Sequence, residues 1–519
     1  MLSVLFYLTA RKAAEYYPVI IASGRKNRID LTIQHAVIYL YAMGKGQMRL
    51  HESLRSLGNN AQIYGEAAFE LGFIARDMEM GRSSVQAIES LIASTPSRKM
   101  EDFLKGLISV INSKGDLTDY FRLKSIQYHR EAETEQKIFL EMLGSISEAY
   151  VVAVVAGPMF LIVVGIVMGM AGSAGSQAML YPVVYGIIPI ASVFFIILIY
   201  SLSRTSSESS MIFIREKELN VFKDIQLIHS DPEKVMEFRG NLQKNEMLKK
   251  LRNPFRIFFL DPSKALYAGI IIGAIFIVYA VLNEKMTASG EYLLLGSVIA
   301  MFPFMIFYEA RSYRIRMIEN RMPDFLRGLA DASESGMTLL KSIEMILISE
   351  AGALTSEIRK VWRETKWGSP ISQSLIRMSI RVRTPWMTRI VSLIVKASEA
   401  TGNIAMVMNI AAEEAHTDKK LKQEREAITI IYVFIIYMTY FCFLFIAVIL
   451  SKSFLPMMPQ SGNQVSLDGI KLLMFHAASL NGFFSGLMGG LIAGGKIESG
   501  VKHSIIMLIL TYLIFKFII

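Results

Sequence analysis

Residues 149–203 contain no Asp, Glu, Lys or Arg. A bilayer-spanning helix needs roughly 20 apolar residues, so this run is long enough for two. The glycine-rich turn Gly172-Ser173-Ala174-Gly175-Ser176 divides it. Further charge-free runs lie at 265–283, 292–308, 427–451, 472–495 and 503–515. Seven spans are expected. The sixth is rich in glycine (Gly482, Gly486, Gly489, Gly490, Gly494, Gly495), and the seventh is short with Lys516 near its end. With 52% hydrophobic residues and mean hydropathy of +0.39, the 519-residue chain is too apolar for an ordinary soluble protein.

Lys and Arg set the orientation of such a chain. Residues 1–148 hold 18 of them, 204–262 hold 11 and 309–427 hold 19. The loops on the other side (171–179, 284–291, 452–477) hold only Lys285, Lys452 and Lys471. The three charged blocks and the N-terminus are therefore expected in the cytoplasm, and the C-terminus outside. The net charge of +10 follows from this topology. Its 45 acidic residues are interleaved with 55 basic ones, which argues against nucleic acid as a partner. The single cysteine, Cys442, lies in an apolar run, so no disulfide framework or Cys-based metal site is expected. The start, Met1 to Arg11, lacks the pattern of a signal peptide and reads as a short amphipathic segment.

The layout of a charged helical block leading into an apolar run occurs twice. Gly81 and Gly115 lie 34 residues apart in the first block, and Gly368 and Gly402 lie 34 apart in the second. A Thr-Pro pair sits inside each frame, Thr95-Pro96 and Thr384-Pro385. The threonines suit helix N-caps, the prolines the first helical turn, and Gly115 and Gly402 the left-handed residue that closes a helix. Ser369-Pro370 marks another helix start. Apolar stripes follow at helical spacing: Phe103, Leu107 and Val110 in copy one, Ile390, Ile394 and Ala397 in copy two. Each copy then runs on, through Arg130–Glu141 or Glu413–Glu426, as one helix into the membrane. The expected organisation is an N-terminal segment (1–24), copy one (25–148), a span pair (149–203), a charged connector (204–262), a second span pair (263–308), copy two (309–427) and about three final spans (428–519). The connector carries the breakers Asp231-Pro232, Asn253-Pro254 and Asp261-Pro262. Four spans separate the copies, so both face the same side. The fold class is all-α: a polytopic membrane protein with two homologous cytoplasmic helical bundles.

Signs of catalysis are absent from the sequence. Gly490-Leu-Ile-Ala-Gly-Gly495-Lys496-Ile497 is the nearest approach to a phosphate-binding loop, but Ile497 stands where Ser or Thr must bind magnesium. The seven histidines (His35, His51, His129, His229, His416, His476, His503) show no metal-ligand spacing. No cofactor is expected. The spans carry almost no ionisable groups, which argues against an ion-coupled transporter. One soluble stretch stands out. Arg359, Lys360, Arg363, Lys366, Arg377, Arg381, Arg383 and Arg389 face only Glu364, for net +7 within 31 residues. Arg377 and Arg381 share a helix face, where like charges repel. Attraction to the anionic inner leaflet and docking of an acidic partner are both open readings.

Glu399-Ala400-Thr401-Gly402-Asn403-Ile404 resembles the signature of the type II secretion system F family, the inner-membrane platform proteins of secretion systems, type IV pili and the archaellum. Asn112-Ser113-Lys114-Gly115-Asp116-Leu117 keeps the glycine and aliphatic of that signature with Asn112 in place of the glutamate. The extra span pair between the copies looks more like the archaeal platform proteins. The resemblance implies a non-enzymatic membrane base, a cytoplasmic hexameric ATPase as partner, pilin- or archaellin-like subunits as clients, contact with lipids, and a homodimer. On that footing the eight basic residues are candidates for docking the ATPase, and Gly81, Gly115, Gly368, Glu399 and Gly402 are structural. A small-molecule transporter or channel is the rival reading.

Overall fold

The computed structural model describes residues 2–170, 180–206, 255, 258–259, 261–283, 289–349, 352–400, 404–457 and 467–519, and among these every regular element is helical. Most of the expected connector at 204–262, the turn Gly172–Ser176 and Gly402 lie outside the described residues.

Copy one comprises α1 (Leu2–Lys45), α2 (Leu50–Asn59), α3 (Ala61–Tyr64), α4 (Glu66–Glu79), α5 (Ser84–Ser94), α6 (Arg98–Asn112) and α7 (Leu117–Tyr150). A π-helical turn, Val151–Ala156, joins α7 to α8 (Gly157–Met170). Next come α9 (Ile188–Ser206) and α10 (Ser263–Asn283). Copy two comprises α11 (Ser289–Glu334), α12 (Leu339–Ser349), α13 (Ala353–Lys366), α14 (Ile371–Val382), α15 (Pro385–Ala400) and α16 (Ile404–Ile449), followed by α17 (Leu467–Gly494) and α18 (Val501–Phe517). Among the described residues, seven helices are long and apolar enough to cross a membrane. Both outgoing helices, α7 and α16, are unbroken, and α11 likewise carries the fourth apolar run straight into copy two.

Helix α1 runs across the boundary expected at 24/25, with Pro18 inside it. Its exposed Tyr16, Tyr17, Val19, Ile20 and Ile21 fall on an arc of about 200° at 100° per residue.

The local signals hold in part. Thr384 behaves as expected: its Oγ1 accepts from the Met387 N–H at 3.3 Å, and α15 opens on Pro385. Pro370 caps α14, which begins one residue later than the Ser-Pro pair suggests. Thr95 does not cap. Its hydroxyl donates instead to the buried carboxylate of Glu70 at 2.8 Å, and Ser97 accepts from the Met100 N–H at 3.1 Å as the N-cap of α6. The Thr95 oxygen still accepts from the Ser97 N–H at 3.5 Å, but α6 starts at Arg98, so Ser97 is the residue placed to cap it. Gly81 and Gly368 are left-handed, at φ 91° and 93°. They close α4 and α13 with matching bonds, Arg82 N–H to Asp77 O and Ser369 N–H to Glu364 O, each 3.1 Å. Gly115 is not the left-handed residue of its turn: Lys114 is, at φ 52°. The Gly115 N–H donates to Val110 O at 2.9 Å.

Contacts divide the chain into two compact units. Met1–Gln136 and Ile315–Leu421 belong to the first; Lys137–Arg204, Lys422–Ile519 and the described part of Asp224–Arg314 belong to the second. In the first unit the two copies share one apolar core, in which Tyr39, Leu54, Leu71 and Phe103 of copy one join Met322, Phe325, Met387 and Ile394 of copy two. The duplicated blocks are thus halves of one bundle.

In the second unit, apolar residues of the spans (Tyr150, Ile166, Val184, Ile436, Tyr440, Met474, Leu491) form the interior. The glycines of α17 explain its weak hydropathy. Methyl groups at Gly486 and Gly490 would overlap the backbone at Ser504 and Gly500, so α17 and α18 approach at backbone distance. Ser504 Oγ donates to Phe483 O at 2.8 Å across the same contact.

Candidate functional site

The eight basic residues separate by role once α13, α14 and α15 are in place. Helix α13 buries Leu354, Glu357, Ile358 and Val361 and exposes Ser356, Arg359, Lys360, Arg363 and Lys366, the one-sided spacing of a surface helix. Trp367 follows at the end of this face and is 89% exposed. Arg359 and Arg363 have no ion-pair partner among the described residues, and Lys366 Nζ lies 4.7 Å from the Trp362 ring centre.

The others are engaged inside the bundle. Arg381 Nε is 2.8 Å from Glu357 Oε2, and its Nη1 is 2.9 Å from Glu364 Oε1. Arg377 reaches Glu364 at 3.5 Å, and Lys360 reaches Glu357 at 2.7 Å. Arg377 and Arg381 therefore share a carboxylate, and the repulsion expected from their spacing is offset. Glu357, two residues before the basic stretch, supplies a second opposing charge. Arg389 is buried, its guanidinium 3.9 Å from Asp418. Arg383 is exposed and left-handed at φ 58°. What remains for a partner is the outer face of α13.

Glu357 has a counterpart that sequence reading missed. It lies 287 residues after Glu70, the same offset that relates Gly368 to Gly81 and Gly352 to Gly65. Both carboxylates are fully buried, and each is held by a cation: Glu70 by Arg25 at 2.7 Å, Glu357 by Arg381 and Lys360. Their environments differ. Burial pushes the Glu70 carboxyl above its usual range despite Thr95 and Arg25. Burial acts the same way on Glu357, but hydrogen bonds from Lys360 and Arg381 outweigh it and hold that carboxyl low. The repeat offset was the available signal for this pair. Glu399, singled out by the resemblance, is exposed and pairs with Lys396 at 2.8 Å.

A second group lies where the copies meet within the first unit. His35 of α1 and His129 of α7 flank Glu414 of α16. His35 Nδ1 is 3.6 Å from Oε1 and His129 Nε2 is 2.9 Å from Oε2. The Tyr64 hydroxyl donates to Arg389 O at 3.2 Å beside them. Further along the pair, Gln136 Nε2 of α7 donates to Leu421 O of α16 at 2.9 Å. Within the second unit the same two helices meet again: Arg425 lies over the Phe139 ring, and the Tyr432 hydroxyl donates to Leu140 O at 3.4 Å. The outgoing helices of the two copies are therefore each other's partners in both units. His35 and His129 show no ligand spacing in the sequence because the third member comes from the other copy. No group among the described residues has metal-binding geometry.

Residues 36–165 and 325–451 each match the family described as type II secretion system (T2SS), protein F. An uncharacterized protein of Methanocaldococcus jannaschii is 22% identical over 518 residues, 96% of this chain and 82% of that protein. No solved structure matches the chain.

Proposed function

A chain that belongs to the type II secretion system protein F family through both of its helical blocks is, we propose, the platform of an archaeal type IV filament machine, an archaellum or a pilus. Members of the family are membrane platform proteins of secretion and pilus-type machinery, not known as enzymes. The archaeal assignment is supported by the relative in Methanocaldococcus jannaschii, whose match covers nearly the whole of this chain. In this reading a cytoplasmic hexameric assembly ATPase docks on the platform, and its ATP-driven movement helps pilin- or archaellin-like subunits leave the bilayer. The charged blocks lie in the cytoplasm, the C-terminus lies outside, and the platform works as a homodimer among lipids.

The observation that carries this reading is the helical course into apolar runs of α7, which passes through a π-helical turn into α8, and of α16. A force applied to the bundle has a stiff path to the spans. The face of α13 bearing Arg359, Arg363, Lys366 and Trp367 suits an acidic surface. Its long-range attraction would steer the partner and its exposed tryptophan would anchor it. Co-purification tests the proposal. Membranes from the native host, solubilised in mild detergent, should yield the chain with an assembly ATPase in moderate salt. The double variant Arg359→Glu/Arg363→Glu should keep its fold and lose the ATPase. If no ATPase accompanies the wild-type chain, the platform reading fails; if binding survives the double variant, docking lies elsewhere.

A further inference from the structure

Glu414 is a carboxylate on copy two's outgoing helix whose two closest charged partners, His35 and His129, both belong to copy one. Its side chain is 11% exposed and that of His35 only 3%. Two further elements bring groups to this place: α3 with Tyr64, which lines the cavity with Glu414 and with Tyr39 of α1, and α15 with Arg389, whose ion-pair partner is Asp418 on α16. The pocket they enclose is narrow and also lined by Trp386 and Ile390, so rearrangement there is costly and water is scarce. A carboxylate in such a place is held strongly by charged imidazole and weakly by neutral imidazole.

We propose that Glu414 is the positioning residue that fastens α16 to copy one, and that protonation of His129 facing it tightens this clasp. The proposal rests on reading α7 and α16 as paired force-bearing helices, since a clasp between them sets whether they move together. Below the ordinary histidine range the His129 imidazole is cationic, 2.9 Å from Glu414 Oε2. As pH rises through its folded value that cation discharges, leaving packing and the Gln136–Leu421 contact. The tendency of each group agrees. Burial opposes charge on His129, yet the hydrogen bond to Glu414 outweighs it and raises the imidazole's proton affinity. Burial likewise opposes charge on Glu414, and the two histidines outweigh it and hold the carboxyl low. The raised histidine contributes below its ordinary range and loses its contribution as pH rises through its folded value. The lowered carboxyl contributes above its ordinary range and loses its contribution in acid. The clasp is therefore tightest in mildly acidic to neutral conditions and loosens in base.

Hydrogen exchange of the full chain in lipid nanodiscs, with no partner present, tests this. Amides of 404–421 are compared at about pH 6 and about pH 8 after correction for intrinsic rates. The wild type should be protected more at the lower pH, because the folded His129 imidazole binds its proton more tightly than the unfolded one. Glu414→Gln should remove that excess protection and differ little from wild type at the higher pH. His129→Gln keeps the bulk without the titration and should flatten the profile even if the first variant folds poorly. Equal loss at both pH values in Glu414→Gln would mean a plain packing role and overturn the proposal. So would a wild-type profile in either variant. Motor co-purification is read separately: a titrating clasp without a bound ATPase sinks the platform reading alone, and a bound ATPase with a flat profile sinks the clasp alone.

Discussion

Arg381→Ala should damage the bundle, although Arg381 belongs to a stretch whose composition suggests a solvated face. Its guanidinium spans two carboxylates, Glu357 and Glu364, at 2.8 and 2.9 Å. Glu357 is 1% exposed, so removing Arg381 takes away its more buried cation, while Lys360 is itself 47% exposed. Breaking a fully buried pair typically costs about 3–5 kcal/mol, and Arg381, 28% exposed, retains part of its solvation. With Lys360 still in place the expected cost is about 2–3 kcal/mol. For a unit of about 240 residues, each kcal/mol lowers the midpoint by about 2–4 °C, so the drop should be roughly 4–12 °C. The assay is thermal unfolding of the purified chain in detergent, with Arg359→Glu as the exposed control, expected within about 0.5 kcal/mol of wild type. Adding Glu357→Gln to Arg381→Ala should recover part of the loss, because the stranded charge is gone. A loss from Arg381→Ala no larger than that of the control, or no recovery in the double variant, would refute the argument that Glu357 is an internal anchor.

Three further outcomes follow from the same geometry. Gly368→Ala should cost about 1–2 kcal/mol in the same unfolding assay, for backbone reasons alone, since φ is 93° and no atom lies within 4 Å of the new methyl. Gly490→Ala should act sterically by forcing α17 and α18 apart, costing about 1–3 kcal/mol and raising hydrogen exchange in α18, because its methyl would meet backbone, which cannot move aside. Acidification should destabilise the first unit through Glu357. Its depressed carboxyl contributes above the ordinary glutamate range and loses that contribution as pH falls through its folded value. Unfolding midpoints followed from neutral into acid should fall less steeply in Glu357→Gln than in wild type.

Much of this architecture is written in one-dimensional patterns. Charge-free runs locate all seven candidate spans because exclusion of charge from lipid is a property of composition. Gly81 and Gly368 stand out in the sequence by their matched spacing, but the left-handed role expected for Gly115 falls on them and on Lys114 instead. Patterns fail where a neighbour in space decides the outcome. Thr95 has every local mark of an N-cap, but α6 starts three residues later, with Ser97 as its cap and the Thr95 hydroxyl turned to Glu70. Lys114, with no such mark, adopts the left-handed conformation next to a glycine that could have. The basic stretch looks uniform until packing places Glu357 and Glu364 under Arg377 and Arg381. The clasp at Glu414 joins residues 285 and 379 positions apart, so no window of sequence contains it.

In the proposed function the chain couples an assembly ATPase to the removal of filament subunits from a membrane. Vesicles containing the purified chain and a fluorescently labelled pilin-like subunit, supplied with the assembly ATPase and ATP, measure that coupling directly. The account predicts that the subunit leaves the bilayer only when chain, ATPase and ATP are all present, and that Arg359→Glu/Arg363→Glu abolishes its departure. Equal departure from vesicles without the chain, or ATP turnover on bound platform with the subunit still in the bilayer, would contradict it.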